Sequence, residues 1–552
     1  MFLLLAGGVS EVRALPSNNV PLDHWSYAAL DKLSGFGLLQ SNVYGTRPFT
    51  RLEVARLVNE ALTTKEQKSI KLPPLIEHFL ERFQREFREE LAVFGRGKEN
   101  AAAALVLTPI EEARARYIYS DGEPRDILNF RPPGVRQYPR SGGGIAATEG
   151  TPLVYNNEGV LYGPGSNFSL QFASSFKFLD MFSGYIEPIL VVHSGGSDGR
   201  SLDALSQNSL HGSLGSFNQT EADVLKGYLK VSPWNVEVEV GRDSMWWGQG
   251  SHGSLILTNN AAPLDMVKLS NPTASLLPWI FSYLGPFKYT VFLARLEAER
   301  EFPHTELGGM RIDFKPLPDL EIGMSRVFMF GGDGAPSSSG FVEFLKIASF
   351  AELGGGQNDA TNQIAAFDFR YRMPFLWNAE VYLEWGGEDS GFKPDMKEFL
   401  LQDLGYLVGL YLPRITSSGR TDLRFEYADN VNTNRLGLWY GHSRYVSGYT
   451  HQGLILGHHM SSDARDMFTR ARHYLRNDLV VGLDFDFMER GDTLNPIVSE
   501  RTYQVGLDVT YDINAALTLM TRYSYGQVEN FDLNVGEDRQ NNLLIVEMKY
   551  TF

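Results

Sequence analysis

The sequence predicts an all-β membrane barrel of about 18 antiparallel strands, preceded by a small α-helical region. Three observations predict it. From about residue 112 apolar and polar residues alternate, as in Tyr503, Val505, Leu507, Val509 and Tyr511 interleaved with Gln504, Gly506, Asp508 and Thr510. Such period-two runs give each strand one apolar and one polar face. The runs are roughly 8–12 residues long, near the ~9–11 that cross a bilayer when tilted. Tight turns alternate with long polar loops, at 194–222, 331–362, 387–402, 490–500 and 527–540. Finally, Val546, Met548, Tyr550 and Phe552 share one face at the end of the chain, in the manner of the terminal assembly signal of outer-membrane barrels. A soluble sandwich has the same alternation with its apolar face inward. The turn-and-loop asymmetry and the terminal pattern favour the barrel.

Composition narrows the classes. The 552 residues include 66 Asp and Glu against 50 Lys and Arg, a net charge of −16. A nucleic-acid-binding role is disfavoured, because phosphate recognition needs a basic face. There is no cysteine, so disulfides, thiolate metal sites and thiol nucleophiles are excluded. No apolar run reaches the ~18 residues of a membrane helix. The 54 glycines, 35 phenylalanines and 25 tyrosines lean toward strands and turns.

Taken in order, Phe2–Val9 is a short apolar run followed by Val12-Arg13-Ala14, which reads as the remnant of a secretory signal over 1–14. A helical, periplasmic region is expected over 15–110. Asp23 is placed to cap a first helix carrying Trp25, Leu30 and Leu33, ending near Gly35 or Gly37. Thr50-Arg51-Leu52-Glu53 is a capping box ahead of the stripe Val54, Leu57, Val58 and Leu62. Pro73-Pro74 opens a third helix, with Ile76, Phe79, Leu80, Phe83, Phe87 and Leu91 on one side. The stretch Pro21-Leu-Asp-His-Trp-Ser-Tyr-Ala-Ala-Leu with Arg47-Pro-Phe-Thr-Arg-Leu-Glu-Val resembles a surface-layer homology repeat over residues 20–62. That resemblance implies contact with peptidoglycan or another wall polymer through Thr50, Arg51 and Glu53. A helix pair that merely packs is the competing reading, since a single copy is found.

The barrel is expected over 111–552. Its strands are placed near 112–120, 168–178, 181–193, 223–231, 234–243, 264–270, 287–297, 308–315, 319–330, 363–372, 376–386, 403–412, 419–428, 466–475, 479–489, 501–511, 515–526 and 541–552. The face toward the lumen carries both signs: Arg311, Lys315, Arg370, Arg372, Arg424 and Arg522 against Glu237, Glu239, Asp313, Asp368, Glu426, Asp484 and Asp486. Charge of both signs at that density suggests crowded, ion-paired walls rather than a plain pore.

Two segments interrupt the alternation. One is Gly241-Arg-Asp-Ser-Met-Trp-Trp-Gly-Gln-Gly-Ser-His-Gly-Ser-Leu-Ile-Leu-Thr-Asn-Asn-Ala-Ala-Pro; the other is Tyr449-Thr-His-Gln-Gly-Leu-Ile-Leu-Gly-His-His-Met-Ser-Ser-Asp-Ala-Arg-Asp. With Leu320-Glu-Ile-Gly-Met-Ser-Arg and Gly331-Gly-Asp-Gly, they resemble the Wzi family of capsule-assembly outer-membrane proteins from about residue 112 to 552. The resemblance implies an eighteen-stranded barrel in the cell outer membrane, surrounded by its lipid. It also implies a lectin role toward capsular or extracellular polysaccharide. The helical region is a departure from that pattern.

Indole faces stack on sugar rings and carboxamides serve hydroxyls as donor and acceptor. Trp246, Trp247, Asn259, Asn260, Trp439 and Tyr440 are therefore the candidate glycan-binding residues. A packed plug or an interfacial girdle is the alternative use of the tryptophans. Because strands 234–243 and 419–428 run away from the tight turns, both interrupting segments begin at the outer mouth. They are expected to form a joint cap that presents aromatics and amides outward.

No enzyme is expected, and no cofactor. Asp484 and Asp486 lie two apart in a wall rich in Arg, which favours salt bridging over the spaced carboxyl pair of a glycosidase. His442, His451, His458 and His459 are expected in structural hydrogen bonds, not as metal ligands, because neighbours along a strand point to opposite faces. An outer-membrane diffusion porin is the alternative function, since it shares the whole barrel argument.

Overall fold

The structure is a computed structural model. It describes residues 17–96, 105–122, 126–128, 146–179, 181–193, 220–349, 361–388, 404–431, 439–442, 444–445, 447–492 and 498–552. The expected signal remnant lies outside the described residues, as do parts of the long loops.

Eighteen strands pair in chain order and close into one antiparallel barrel. They are β1 (Leu105–Ser120), β2 (Gly165–Phe178), β3 (Phe182–His193), β4 (Thr220–Val231), β5 (Glu237–Asp243), β6 (Leu264–Ser270), β7 (Pro286–Arg295), β8 (Glu306–Leu317) and β9 (Leu320–Phe330). The second half comprises β10 (Asn362–Met373), β11 (Ala379–Glu388), β12 (Leu404–Leu412), β13 (Thr421–Asp429), β14 (Ala464–Arg476), β15 (Leu479–Arg490), β16 (Glu500–Asp512), β17 (Leu517–Glu529) and β18 (Arg539–Thr551). Closure is the β1–β18 pairing, from Glu112 opposite Thr551 to Ser120 opposite Leu543. An even count returns the last strand antiparallel to the first, so no edge remains open.

Each expected strand is found, with ends shifted by a few residues. The largest shift is at β1, which begins at Leu105 and so carries strand into the region read as helical. Outward residues are exposed and apolar: Val240, Val267, Leu483 and Leu507 are each about half exposed. Trp234, Trp279, Tyr283, Phe375 and Trp377 project from the end of the barrel that carries the tight turns. Aromatics gathered at one level suit a membrane–water interface.

The helical region is α1 (Trp25–Gly35), α2 (Arg51–Lys68), α3 (Pro74–Glu86) and the short α4 (Arg88–Ala92). The apolar residues expected on α2 and α3 are buried together in one core. Three local expectations are corrected. His24, not Asp23, caps α1 by accepting from the Ser26 amide; Asp23 instead meets Arg114 of β1 at 2.6 Å. The third helix breaks at Phe87, so Leu91 lies on α4. Thr50 does cap α2 through the Glu53 amide, but the Glu53 carboxylate turns to Arg56 at 2.8 Å.

This region closes the turn end of the barrel. Lys32 reaches the Pro413 and Gly419 carbonyls at 2.8 and 2.9 Å and Asp422 at 2.8 Å. Asp31 meets Arg424 at 3.0 Å, and the amides of Tyr44 and Gly45 donate to Glu321 at 2.9 and 2.7 Å. Gly35 is packed so closely on the Pro413 ring that a Cβ would collide with it.

Candidate functional site

A closed backbone segment inside a barrel exposes N–H groups that need acceptors. The lumen carboxylates supply them. Between β5 and β6, residues 244–263 turn into the lumen. Glu384 accepts from the amides of Gly250 and Leu255 at 2.7 and 2.8 Å, and Glu426 from those of Ser251 and His252, both at 2.8 Å. Gln249 donates to Glu321 and Asp368 at 2.9 and 2.8 Å, and its own oxygen accepts from Arg370 at 2.9 Å. Below it Arg311 binds Asp313 and Asp368 at 2.5 and 2.7 Å, all three nearly without exposure. The mixed wall is therefore ion-paired and covered, as its composition suggests.

The described residues of 439–463, between β13 and β14, pack on this segment. The Tyr440 hydroxyl donates to the Leu255 carbonyl at 2.8 Å and the Tyr449 hydroxyl to that of Ile256 at 2.9 Å. The Thr258 amide donates to Leu456 at 2.8 Å. The two interrupting segments thus fold together, but as a plug. It meets the helical region deep in the barrel: Thr46 and Arg47 pair as a short antiparallel ladder with Trp247 and Trp246.

The outward display of aromatics is corrected. Trp247, Trp439 and Tyr440 are fully buried and Trp246 nearly so. Trp246 donates to the Gly250 carbonyl at 3.1 Å, and Trp247 packs edge-on against Phe292. Asn260 donates to the Ile455 carbonyl at 3.0 Å and Asn259 to Glu158 at 3.2 Å. Large rings without water access sit where apolar burial is greatest, which is the plug core. The candidate wall residues are likewise engaged internally. Arg51 binds Glu90 at 2.9 Å, Glu53 is fully buried, and the Thr50 hydroxyl donates to the Pro272 carbonyl at 3.2 Å.

Among the described residues, a cavity of about 390 Å³ lies toward the loop end of the barrel. It lies where β4 runs on beyond its pairing with β5, which covers Gly227 to Val231. Glu158, Glu221, Asp223, Arg242, His193 and Gln452 supply its polar lining. Lys226 holds Glu158 at 2.8 Å and Arg242 approaches Asp223 at 3.5 Å. Carboxylates and a guanidinium around an apolar floor of Ile189, Val191 and Leu225 can take a hydroxylated ring: acceptors for hydroxyl donors, and a flat apolar face beneath. These residues escaped sequence reasoning because β3 and β4, which pair as neighbours, meet 158–161, Arg242 and Gln452 only through the tertiary fold.

The histidines divide. His442 accepts from the amides of Arg444 and Tyr445 at 3.2 and 3.1 Å, His451 pairs with Glu297 at 2.7 Å, and His458 accepts from the Met460 amide at 3.3 Å. His442 and His458 hold turns and His451 a long-range contact, so these three make structural hydrogen bonds, as expected. His459 instead lies beside His252, ring centres 4.6 Å apart. Burial pushes His458 and His459 well below the ordinary imidazole range. Burial would lower His252 too, but the Asp486 and Asp466 carboxylates outweigh it and lift it to about 9. Asp484 is held by Arg470 and Arg522 at 2.7 and 2.8 Å, so the salt-bridge reading of that wall holds there.

A family model described as capsule assembly protein Wzi matches residues 135–543. A Klebsiella pneumoniae relative, described as an uncharacterized 55.8 kDa protein in the cps region, is 30% identical over 202 residues. That match covers 36% of this chain and 40% of the relative, so it spans less than half of that protein's length. Among solved structures, Escherichia coli Wzi is described as an outer membrane protein involved in group 1 capsule assembly and a carbohydrate binding beta-barrel. It aligns with a TM-score of 0.66 at 19% identity, covering 98% of this chain and 99% of that one, a likeness of fold. Acinetobacter baumannii OccAB1 aligns with a TM-score of 0.44 at 10% identity, covering 82% and 98%.

Proposed function

The chain belongs to the capsule assembly protein Wzi family, and from that premise we propose that it is an outer-membrane β-barrel that holds capsular or exported polysaccharide at the cell surface. The helical region then lies on the periplasmic side and the loop end faces outward. The observation that carries this reading is the plug. Wall carboxylates that would line a water path instead accept the backbone amides of Gly250, Ser251, His252 and Leu255. A diffusion porin needs that path open. A binding protein needs only its outer mouth, where the cavity bounded by Glu221, Asp223, Arg242 and Gln452 stands ready for a sugar. Weak binding at each site becomes firm retention when many copies face one polymer. The role is one of binding, without a catalytic step.

The test has two arms. Cells lacking the protein should release polysaccharide that complemented cells retain, and purified barrel should bind that polymer in a glycan array. Reconstituted barrel should give no large, steady conductance. Large stable channels together with unchanged retention would sink the binding reading in favour of the porin.

A further inference from the structure

His252 and His459 come from the two halves of the plug, and Asp466 and Asp486 from the adjacent strands β14 and β15. The strand register explains the carboxylate pair: Asp486 stands opposite Phe468, two residues beyond Asp466 on the same face. One ligand atom from each of the four side chains falls within 4.8 Å of all the others. His252 Nε2 is 3.2 Å from Asp486 and 3.8 Å from Asp466, and His459 Nε2 is 3.2 Å from Asp466. A tetrahedral ion with bonds of about 2.0–2.1 Å holds its ligand atoms roughly 3.3–3.5 Å apart, the spacing approached here.

A second observation is independent of the spacing. The side chains of His459, Asp466 and Asp486 are 2, 2 and 3% exposed. Yet His459 Nδ1 and one oxygen of Asp486 have no hydrogen-bond partner among the described residues, and His459 Nε2 and Asp466 Oδ2, though 3.2 Å apart, hydrogen-bond neither to each other nor to any other described group. Buried polar atoms in this state are costly and call for a ligand. The neighbouring arginines are engaged elsewhere: Arg470 and Arg522 both bind Asp484 and Asp508. Glu426 is also satisfied, by two plug amides and the Tyr382 hydroxyl. Both imidazoles are clamped in place, His252 face to face with Phe468 at 3.7 Å and His459 against Tyr155 at 4.1 Å. Ligands fixed in advance lose little freedom on binding.

We infer that His252, His459, Asp466 and Asp486 form a site for one divalent transition ion, of the two-imidazole, two-carboxylate kind that zinc takes, and that the ion rivets both halves of the plug to the barrel wall. Two carboxylates balance the charge of a divalent ion held also by two imidazoles, each binding through a deprotonated ring nitrogen, which resolves the burial of two adjacent acids. The sequence argument missed the site because the ligand atoms that join His459 come from His252, Asp466 and Asp486, on other segments of the chain.

The experiment uses the full chain, purified in detergent without a histidine tag and stripped with chelator. Zinc chloride is titrated in by calorimetry, and bound metal is counted by mass spectrometry after dialysis. The expected result is about one zinc per barrel, with amide exchange at Ser251 and His252 slowed on binding. His459→Ala combined with Asp486→Asn should weaken zinc binding at least ~100-fold while the barrel keeps its heat-modifiable band on gels. Should that variant fail to assemble, the zinc absorption-edge spectrum of wild-type protein decides. Two nitrogen and two oxygen neighbours at about 2.0–2.1 Å support the site. An all-oxygen shell overturns it. Failure of wild-type protein to take up stoichiometric zinc, or equal uptake by wild type and folded variant, also overturns it and leaves a plain His252–Asp486 ion pair.

Discussion

The Arg47 guanidinium lies over the Trp246 ring, 4.8 Å from its centre, and donates to the Gly250 carbonyl at 2.9 Å. One residue belongs to the helical region and the other to the plug. This contact therefore joins the two bodies that enter the barrel from opposite ends, beside the backbone bond from Gly248 to Gly45 at 2.9 Å.

Arg47→Ala should loosen that seam by about 1–2 kcal/mol, one cation–π contact and one hydrogen bond. Amide exchange at Gly248 should quicken roughly 10-fold while exchange in β16 and β17 stays unchanged. An unaltered Gly248 rate would mean that the backbone ladder alone carries the junction.

Gln249→Ala withdraws a donor from Glu321 and Asp368 and an acceptor from Arg370, all buried. The loss should be about 2–4 kcal/mol, because polar groups are left unpaired. In planar bilayers the variant should flicker open where wild type is quiet. A variant as silent as wild type would show that residues 439–463 seal the lumen by themselves.

Acid should undock the end of the helical bundle. Burial would raise the Glu90 carboxyl, but Arg51 and Lys177 outweigh it and hold it at about 2. A carboxyl depressed in the folded state stabilises above its unfolded value of about 4.5, and that contribution is lost as pH falls toward 2. For Glu90 it amounts to about 3 kcal/mol at most. Protease cleavage within α3 and α4 should therefore rise between pH 4.5 and 2, and Glu90→Gln should flatten that rise by making cleavage high throughout. A pH-independent cleavage rate in wild type would count against the ion pair.

Glycan retention should follow the cavity rather than the tryptophans. Glu221→Gln with Asp223→Asn should lower cell-bound polysaccharide several-fold while the barrel remains heat-stable on gels, since both side chains are exposed. Trp247→Ala should instead cost about 3–5 kcal/mol of plug stability, as expected for a fully buried ring. Full retention by the double variant would move the glycan contact away from this cavity.

The strands were legible because alternation is local: Leu483, Phe485 and Phe487 against Asp484 and Asp486 declare two faces wherever the strand ends up. Closure was legible in part, because turns of a few residues force neighbouring strands to pair in order. The plug segments were visible as interruptions, and their shared origin at one barrel mouth followed from strand parity. Their fate was not. Nothing near Trp246 and Trp247 says whether an aromatic pair faces sugar or core; that depends on Thr46, Arg47 and Phe292 arriving from elsewhere.

The sequence by itself determined the β-barrel, its strand number, its charged lumen and the apolar face of each helix, since these arise from periodicity and nearest-neighbour turns. Tertiary structure alone decided which wall carboxylate receives which plug amide. It also decided that Thr50 reaches Pro272 and Arg51 reaches Glu90, that Glu221 and Asp223 border a cavity, and that His252 meets His459. Those are contacts between residues far apart in the chain. Their partners are chosen by the closed barrel, which brings every lumen face to one axis and leaves each buried polar group to be satisfied by whatever the fold delivers there.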